Sequence, residues 1–281
     1  MTKPRTAAGY QLEFLTAVRA TCLYVATKVG DLLDEVVVVG GLVPSLIIDQ
    51  DGLSARTERH VGTLDLDIGL AVAVLDQKRY QALTERLRHA GFSPDTNEKG
   101  NRTRQRWAID GPPRVTVDFL IPPTLTTDKG GAVRDIEPDF AAIIAPGLRL
   151  AFTDRIRVRL SGKTIKNETA DREVWVCGPA ALVLLKALAF RSRGENKDAY
   201  DLFYVLQHFG SGLGDVVERF AALRADRDAA QALVILEEDF STLDSLGPRR
   251  VSEFLLGQSD EALQADVVGS VLAFVRACRR T

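Results

Sequence analysis

The sequence predicts a mixed α/β part to about residue 177, followed by an all-helical part. Three observations carry that reading. Short β-branched or alternating runs recur between stretches of helical periodicity before residue 177. The chain changes character at Gly178-Pro179. From there to Thr281 it reads as helices, with turn signals near Gly194, Gly210-Ser211-Gly212, Gly247-Pro248 and Gly257. Two domains are therefore expected, 1–177 and 178–281.

Residues 11–33 place apolar side chains at helical spacing, so an amphipathic helix is expected there. Val36-Val37-Val38-Val39 is β-branched throughout and bounded by Gly40-Gly41, the pattern of a short buried strand. Leu42 to Ile48 reads as a helix with Pro44 in its first turn, where proline is tolerated. Asp49 to Val61 is polar and reads as a loop. Leu64 to Val72 is strand-like, and Asp76 to Ala90 is helical and closed by Gly91. Arg102 to Ile109 and Arg114 to Ile121 read as two strands joined at Asp110-Gly111-Pro112-Pro113, whose prolines exclude the usual two-residue hairpin. Leu148 to Phe152, Arg155 to Leu160 and Glu173 to Cys177 read as further short strands.

Composition excludes several classes. The chain has 281 residues, 46% hydrophobic and 26% charged, enough to bury a sizeable core and too apolar for wholesale disorder. A net charge of −2 is neither a polycation nor an acidic tail. No apolar run approaches the roughly 20 residues that span a bilayer. Met1 to Tyr10 lacks the apolar stretch of a secretory signal. Cys22, Cys177 and Cys278 are odd in number and widely spaced, which suggests neither a disulfide framework nor a zinc site. A cytoplasmic, reducing setting is the expectation.

Thr63-Leu64-Asp65-Leu66-Asp67-Ile68-Gly69-Leu70 alternates strictly. A strand there puts Leu64, Leu66, Ile68 and Leu70 on one face and Thr63, Asp65, Asp67 and Gly69 on the other. The two aspartates lie roughly 6.6 Å apart along the strand and point the same way. Like charges so placed repel, and a divalent cation removes the conflict. Mg²⁺ prefers such oxygen ligands and completes its shell with water and substrate phosphates. The same pattern also fits an edge strand with a solvated polar face.

Gly40-Gly41 directly follows a hydrophobic strand. Glycine permits φ > 0 and leaves room for a phosphate beside the backbone, and the following helix offers its N-terminus. A plain strand-to-helix turn gives the same two residues. A third acid, Asp118, lies on the polar face of Val115-Thr116-Val117-Asp118-Phe119, an expensive place without a charged partner or metal. Three carboxylates on neighbouring strands can hold two metals roughly 3.5–4 Å apart. One would bind a nucleotide triphosphate and the other would activate an attacking hydroxyl, with Asp118 as the expected base.

Strand, Gly-Gly, helix, Asp-x-Asp on a strand and a later strand aspartate together resemble the nucleotidyltransferase superfamily, the DNA polymerase β-like fold. The resemblance implies a mixed-sheet nucleotidyltransferase fold, an NTP as substrate and Mg²⁺ or Mn²⁺ as cofactor. It implies Asp65, Asp67 and Asp118 as metal ligands, and Gly40, Gly41 and Thr63 at the nucleotide. It places an insertion at Asp49 to Val61; the second glycine position, often serine in that superfamily, is here Gly41.

In the helical part, Pro179 to Phe190 is almost wholly apolar but for Lys186. Either that lysine snorkels to water or it is aimed into a cleft to meet a triphosphate. In the next helix Lys197 and Asp201 are i, i+4, and Asp198 and Asp201 are i, i+3, so one face carries all three. Acids in a first helical turn would account for Asp198 by themselves. Lysine in an apolar helix followed by Lys-Asp-x-x-Asp-Leu resembles the AbiEii/AbiGii-type toxin branch of the nucleotidyltransferases, which includes MenT-type toxins acting on tRNA. The resemblance covers roughly residues 34–206. It implies that Lys186 and one of Asp198 or Asp201 complete the active site, with Lys186 and Lys197 at the nucleotide.

Near-neutral net charge hides segregation. Arg149 to Arg172 holds seven basic residues against three acids, and residues 212–266 hold twelve acids against five bases. Arg155, Arg157 and Arg159 alternate along one strand, and Arg102, Arg104 and Arg106 along another. Such stripes suit a phosphate backbone, and also suit a solvated strand face. The leading expectation is a metal-dependent enzyme that transfers NMP from an NTP to an RNA hydroxyl, at the tRNA 3′ end. Its role would be that of a toxin in a toxin–antitoxin or phage-defence system, opposed by an antitoxin and without a membrane. Alternatives are a nucleotidyltransferase acting on a small molecule or a protein, and a non-catalytic module that binds nucleotide or a partner.

Overall fold

The computed structural model describes residues 3–53, 58–71, 77–97 and 99–280. Helix α1 (Leu12–Val29) stops at Gly30, whose φ of +62° breaks the helix, and a 3₁₀ turn leads into β1 (Val36–Val39). After Gly40 the chain makes one more 3₁₀ turn into α2 (Val43–Ile47), only five residues long. Then follow β2 (Asp65–Leu70), α3 (Gln77–His89), β3 (Phe92–Thr96), β4 (Arg102–Ile109), β5 (Val115–Ile121), β6 (Val133–Glu137) and β7 (Phe140–Ile144). Next come α4 (Leu150–Thr153), β8 (Arg155–Lys163) and β9 (Thr169–Cys177). The rest is helical: α5 (Pro179–Arg193), α6 (Asn196–His208), α7 (Leu213–Phe220), α8 (Arg227–Asp239), α9 (Leu246–Leu256) and α10 (Glu261–Arg280).

The described strands form one mixed sheet in the order β3-β4-β5-β2-β1-β9-β8, with β7 paired to β5 and β6 to β7. Strand β2 runs antiparallel to β1 and parallel to β5, so it is central. That excludes the edge strand with a solvated polar face. Leu66, Ile68 and Leu70 are buried on one face, and Asp65 is buried on the other. The buried apolar side chains make one continuous core that runs from Ala17 in α1 to Cys278 in α10. Among the described residues no helix is long and apolar enough to cross a membrane.

Three departures from the expected elements have local causes. Leu148 to Phe152, expected as a strand, lies instead where α4 forms, because a five-residue apolar run suits a buried helix as well as a buried strand. Helix α4 ends on Asp154, whose Oδ2 accepts the Ala181 N–H at 2.9 Å and so caps α5. Strands β3, β6 and β7 had no expected counterpart. They are five residues each, and β3 and β6 alternate poorly. Gly247-Pro248, expected between helices, falls in the first turn of α9, where proline fits. Val72 and Asp76, the ends of an expected strand and an expected helix, lie outside the described residues.

Strand periodicity aims the functional side chains. Trp107 and Phe119 are fully buried and meet edge to face at 6.3 Å, and Phe140 packs at 4.9 Å from Phe119. Burying each aromatic contributes about 1.5–3 kcal/mol. Their neighbours Arg106 and Asp118 are thereby turned to the opposite face.

Candidate active site

Sheet register brings the acids together. Asp67 on β2 is the direct partner of Asp118 on β5, and Asp118 in turn of Arg106 on β4. On the other side Asp67 pairs with Val39, the last residue of β1. One row across the sheet therefore reads Arg106, Asp118, Asp67, Val39, and Gly40 follows Val39 at the end of β1. Asp65 lies two residues before Asp67, on the same face. Ligand oxygens of Asp65, Asp67 and Asp118 all lie within 4.8 Å of one another.

The cluster is charged to different degrees. Burial and the neighbouring Asp65 and Asp118 push the Asp67 carboxyl up to about 7. Asp65 is held well below the usual carboxylate range: burial opposes its charge, but Lys3, Thr63 and Arg106 outweigh it. The Thr63 hydroxyl donates to Asp65 Oδ1 at 2.9 Å, and Lys3 Nζ lies 2.7 Å from Oδ2. Arg106 grips Asp118 with two parallel hydrogen bonds of 2.7 and 2.6 Å, a bidentate geometry. This contact sets Arg106 apart from Arg102 and Arg104, since it belongs to the site itself.

Gly40 is required here twice over. Its φ is +73°, and a Cβ would lie 1.9 Å from Asp67 Oδ2. At Gly41 a Cβ would meet Thr63 Oγ1 at 2.9 Å and Lys197 Nζ at 3.1 Å. The expected helix N-terminus is only the short α2, so the glycine backbone contributes more to this corner than a helix dipole does.

Helices α5 and α6 face the carboxylates. Lys186 is 7% exposed at its side chain, so it does not snorkel. Its Nζ pairs with Asp198 Oδ1 at 2.9 Å and Asp201 Oδ2 at 2.7 Å. Burial disfavours the ammonium, but those two acids more than offset it and raise Lys186 above its ordinary value. Asp198 is also gripped by Arg193 at 2.6 and 2.8 Å. Asp201 accepts from Lys197 at 2.7 Å and meets His60 Nε2 at 2.9 Å. Despite burial, both acids are held below the usual carboxylate range, Asp198 chiefly by Lys186 and Arg193, Asp201 chiefly by Lys186 and Lys197. Both thus act first as anchors of Lys186. His60 carried no sequence signal, because it sits in an irregular loop far along the chain from α6.

Between the two halves lies a cavity of about 210 Å³. Gly40, Asp67, Lys186 and Arg193 line its polar side, and Leu120, Ile143, Leu182 and Leu185 are among its apolar walls. Three hard carboxylate oxygens, crowded until one resists ionisation, are the donor set a divalent cation suits.

The arginine stripes do not form one surface. Arg104 pairs with Asp135 at 2.9 Å on β6. Strand β8 is five places from β4 across the sheet, roughly 24 Å at ordinary strand spacing. There Arg155 and Arg157 stack on Trp175 at 4.1 and 4.6 Å, and Arg159 forks onto Asp171.

A mixed sheet that sets three carboxylates beside a glycine corner, roofed by a helix-borne lysine, defines a nucleotidyltransferase. The family model described as nucleotidyl transferase AbiEii toxin, Type IV TA system, matches residues 54–274, and the chain belongs to that family. The match extends the likeness, traced in the sequence to about residue 206, through most of α10; Gly40 and Gly41 precede it. No curated protein matches the chain.

Proposed function

We propose that this toxin-family nucleotidyltransferase transfers NMP from an NTP to an RNA hydroxyl, at the 3′ end of tRNA, with Mg²⁺ or Mn²⁺ as cofactor. The observation that supports it is the carboxylate trio within 4.8 Å, one member of which, Asp67, lines a cavity together with Lys186 and Arg193. Asp65, Asp67 and Asp118 would hold the metal. Bound there, it would neutralise the carboxylates and polarise phosphoryl oxygens.

The chain's own groups supply the rest. Lys186 and Arg193 present positive charge to the triphosphate, and Gly40 leaves its backbone open to it. The acceptor oxygen bonds to the α-phosphorus, the bond to the bridging oxygen breaks, and pyrophosphate leaves. Asp118 takes the hydroxyl proton on a lone pair beside its Arg106 contacts. Arg102 and Arg104 lie on the strand that carries Arg106 into the site, which favours a phosphate-backbone acceptor over a cationic small molecule. An antitoxin partner and a cytoplasmic setting complete the reading.

The test is purified protein with labelled NTPs, Mg²⁺ and total tRNA. Label on tRNA with release of pyrophosphate is expected, and Asp65→Ala and Lys186→Ala each abolish it. Label on a protein or small molecule instead overturns the RNA acceptor. Nucleotide binding without any transfer supports a non-catalytic module.

A further inference from the structure

His60 is buried completely, as is its partner Asp201. Its ring stacks on Tyr200 at 5.3 Å and meets Tyr204 edge-on at 5.0 Å, so its plane is fixed. Both ring nitrogens are used. The Gly62 N–H points at Nδ1 at 3.1 Å, which makes that nitrogen an acceptor. The proton is then on Nε2, 2.9 Å from Asp201 Oδ1. The His60 backbone is held as well: its N–H donates to Gln50 Oε1 at 2.8 Å, and Tyr204 donates to the same oxygen at 3.1 Å.

The two contacts lead to the two halves of the site. Gly62 opens the turn into Thr63, whose hydroxyl holds Asp65. Asp201 holds Lys186 through its other oxygen. We propose that His60, as a neutral imidazole, is a positioning residue that fixes Lys186 relative to the carboxylate strand, so that both halves engage one metal-bound triphosphate. This rests on the reading of Lys186 as a triphosphate contact. The imidazole suits the task because it donates from one edge and accepts at the other without adding charge beside Lys186 and Lys197.

His60→Phe keeps the ring between the two tyrosines and removes both nitrogens. His60→Gln returns an amide that donates toward Asp201. Binding of a non-hydrolysable NTP analogue is measured by calorimetry with Mn²⁺ present, and Mn²⁺ binding is measured alone. His60→Phe is expected to bind the analogue about tenfold more weakly, the size of one hydrogen bond to a charged group. His60→Gln is expected to recover most of that loss, with Mn²⁺ binding alone unchanged in both. A residue that only stabilises the fold would shift the melting temperature and leave nucleotide affinity intact. Wild-type affinity in His60→Phe, or an equal loss in both variants, overturns the assignment. If Lys186→Ala binds the analogue normally, the role of Lys186 fails and the positioning role with it. A Lys186→Ala loss beside an unaffected His60→Phe rejects only the positioning role.

Discussion

The Lys3 ammonium lies 2.7 Å from Asp65 Oδ2, so the N-terminal segment brings a cation to the carboxylate trio. The segment is tied down farther along: the Arg5 carbonyl accepts from Asn196, and Tyr10 packs on Phe254 and lies under Lys197. Lys3 and a divalent metal compete for the same oxygen. Its side chain is half exposed, so the pair is worth only about 0.5–1 kcal/mol. Lys3→Ala should therefore tighten Mn²⁺ binding about two- to fivefold in a direct titration. Unchanged affinity would mean that Lys3 leaves the site at no cost.

Gly40 separates backbone strain from crowding. Gly40→Ala places a methyl against Asp67 at φ +73°. The strain costs about 1–2 kcal/mol, and displacement of Asp67 should abolish transfer. Gly91 is the control, with φ +89° and nothing within 4 Å of its added Cβ. Gly91→Ala should lower the melting temperature by a similar amount and leave activity intact. Equal activity in the two variants would remove the close approach at Gly40 from the site.

The sequence displays what is periodic. Asp65, Asp67 and Asp118 stand out because alternation puts each acid on an otherwise apolar strand, Lys186 because it is the one charge in an apolar helical run, and Lys197, Asp198 and Asp201 because helical spacing groups them. Arg106 shows the limit. Its strand face is legible, but only the cross-strand register shows that it lies beside Asp118 and bonds to it. His60 and Lys3 lie in irregular segments and reach their partners through tertiary packing alone. Leu148 to Phe152 is too short for its apolar residues to show a period, so strand and helix are indistinguishable there.

Removing Lys186 has a structural consequence as well as a chemical one. Asp198 and Asp201 are buried and share its ammonium, so Lys186→Ala leaves buried carboxylate charge less compensated. Breaking a buried pair this way costs about 3–5 kcal/mol, and Arg193 and Lys197 reduce that here. Chemical denaturation should show a loss of about 2–4 kcal/mol. Adding Asp201→Asn to Lys186→Ala should restore part of it without restoring activity. A Lys186→Ala protein as stable as wild type would show that the two acids are not held by this lysine.

His60 makes stability depend on pH. Burial lowers its imidazole from 6.5 to about 4, and the hydrogen bond to Asp201 only partly offsets this. The unfolded chain takes up a proton near pH 6.5, and the folded chain not until about 4. Within that window unfolding binds a proton, so stability falls as the pH drops and is fully retained above the window. The gap corresponds to at most about 3 kcal/mol. His60→Phe has nothing to titrate at this position, so its stability should fall less between pH 7 and 4. The carboxylates contribute the same trend to both proteins, and the difference between their slopes isolates His60. Urea unfolding at several pH values across the window measures it, and parallel slopes would mean that the ring titrates in the folded protein as it does in the unfolded chain.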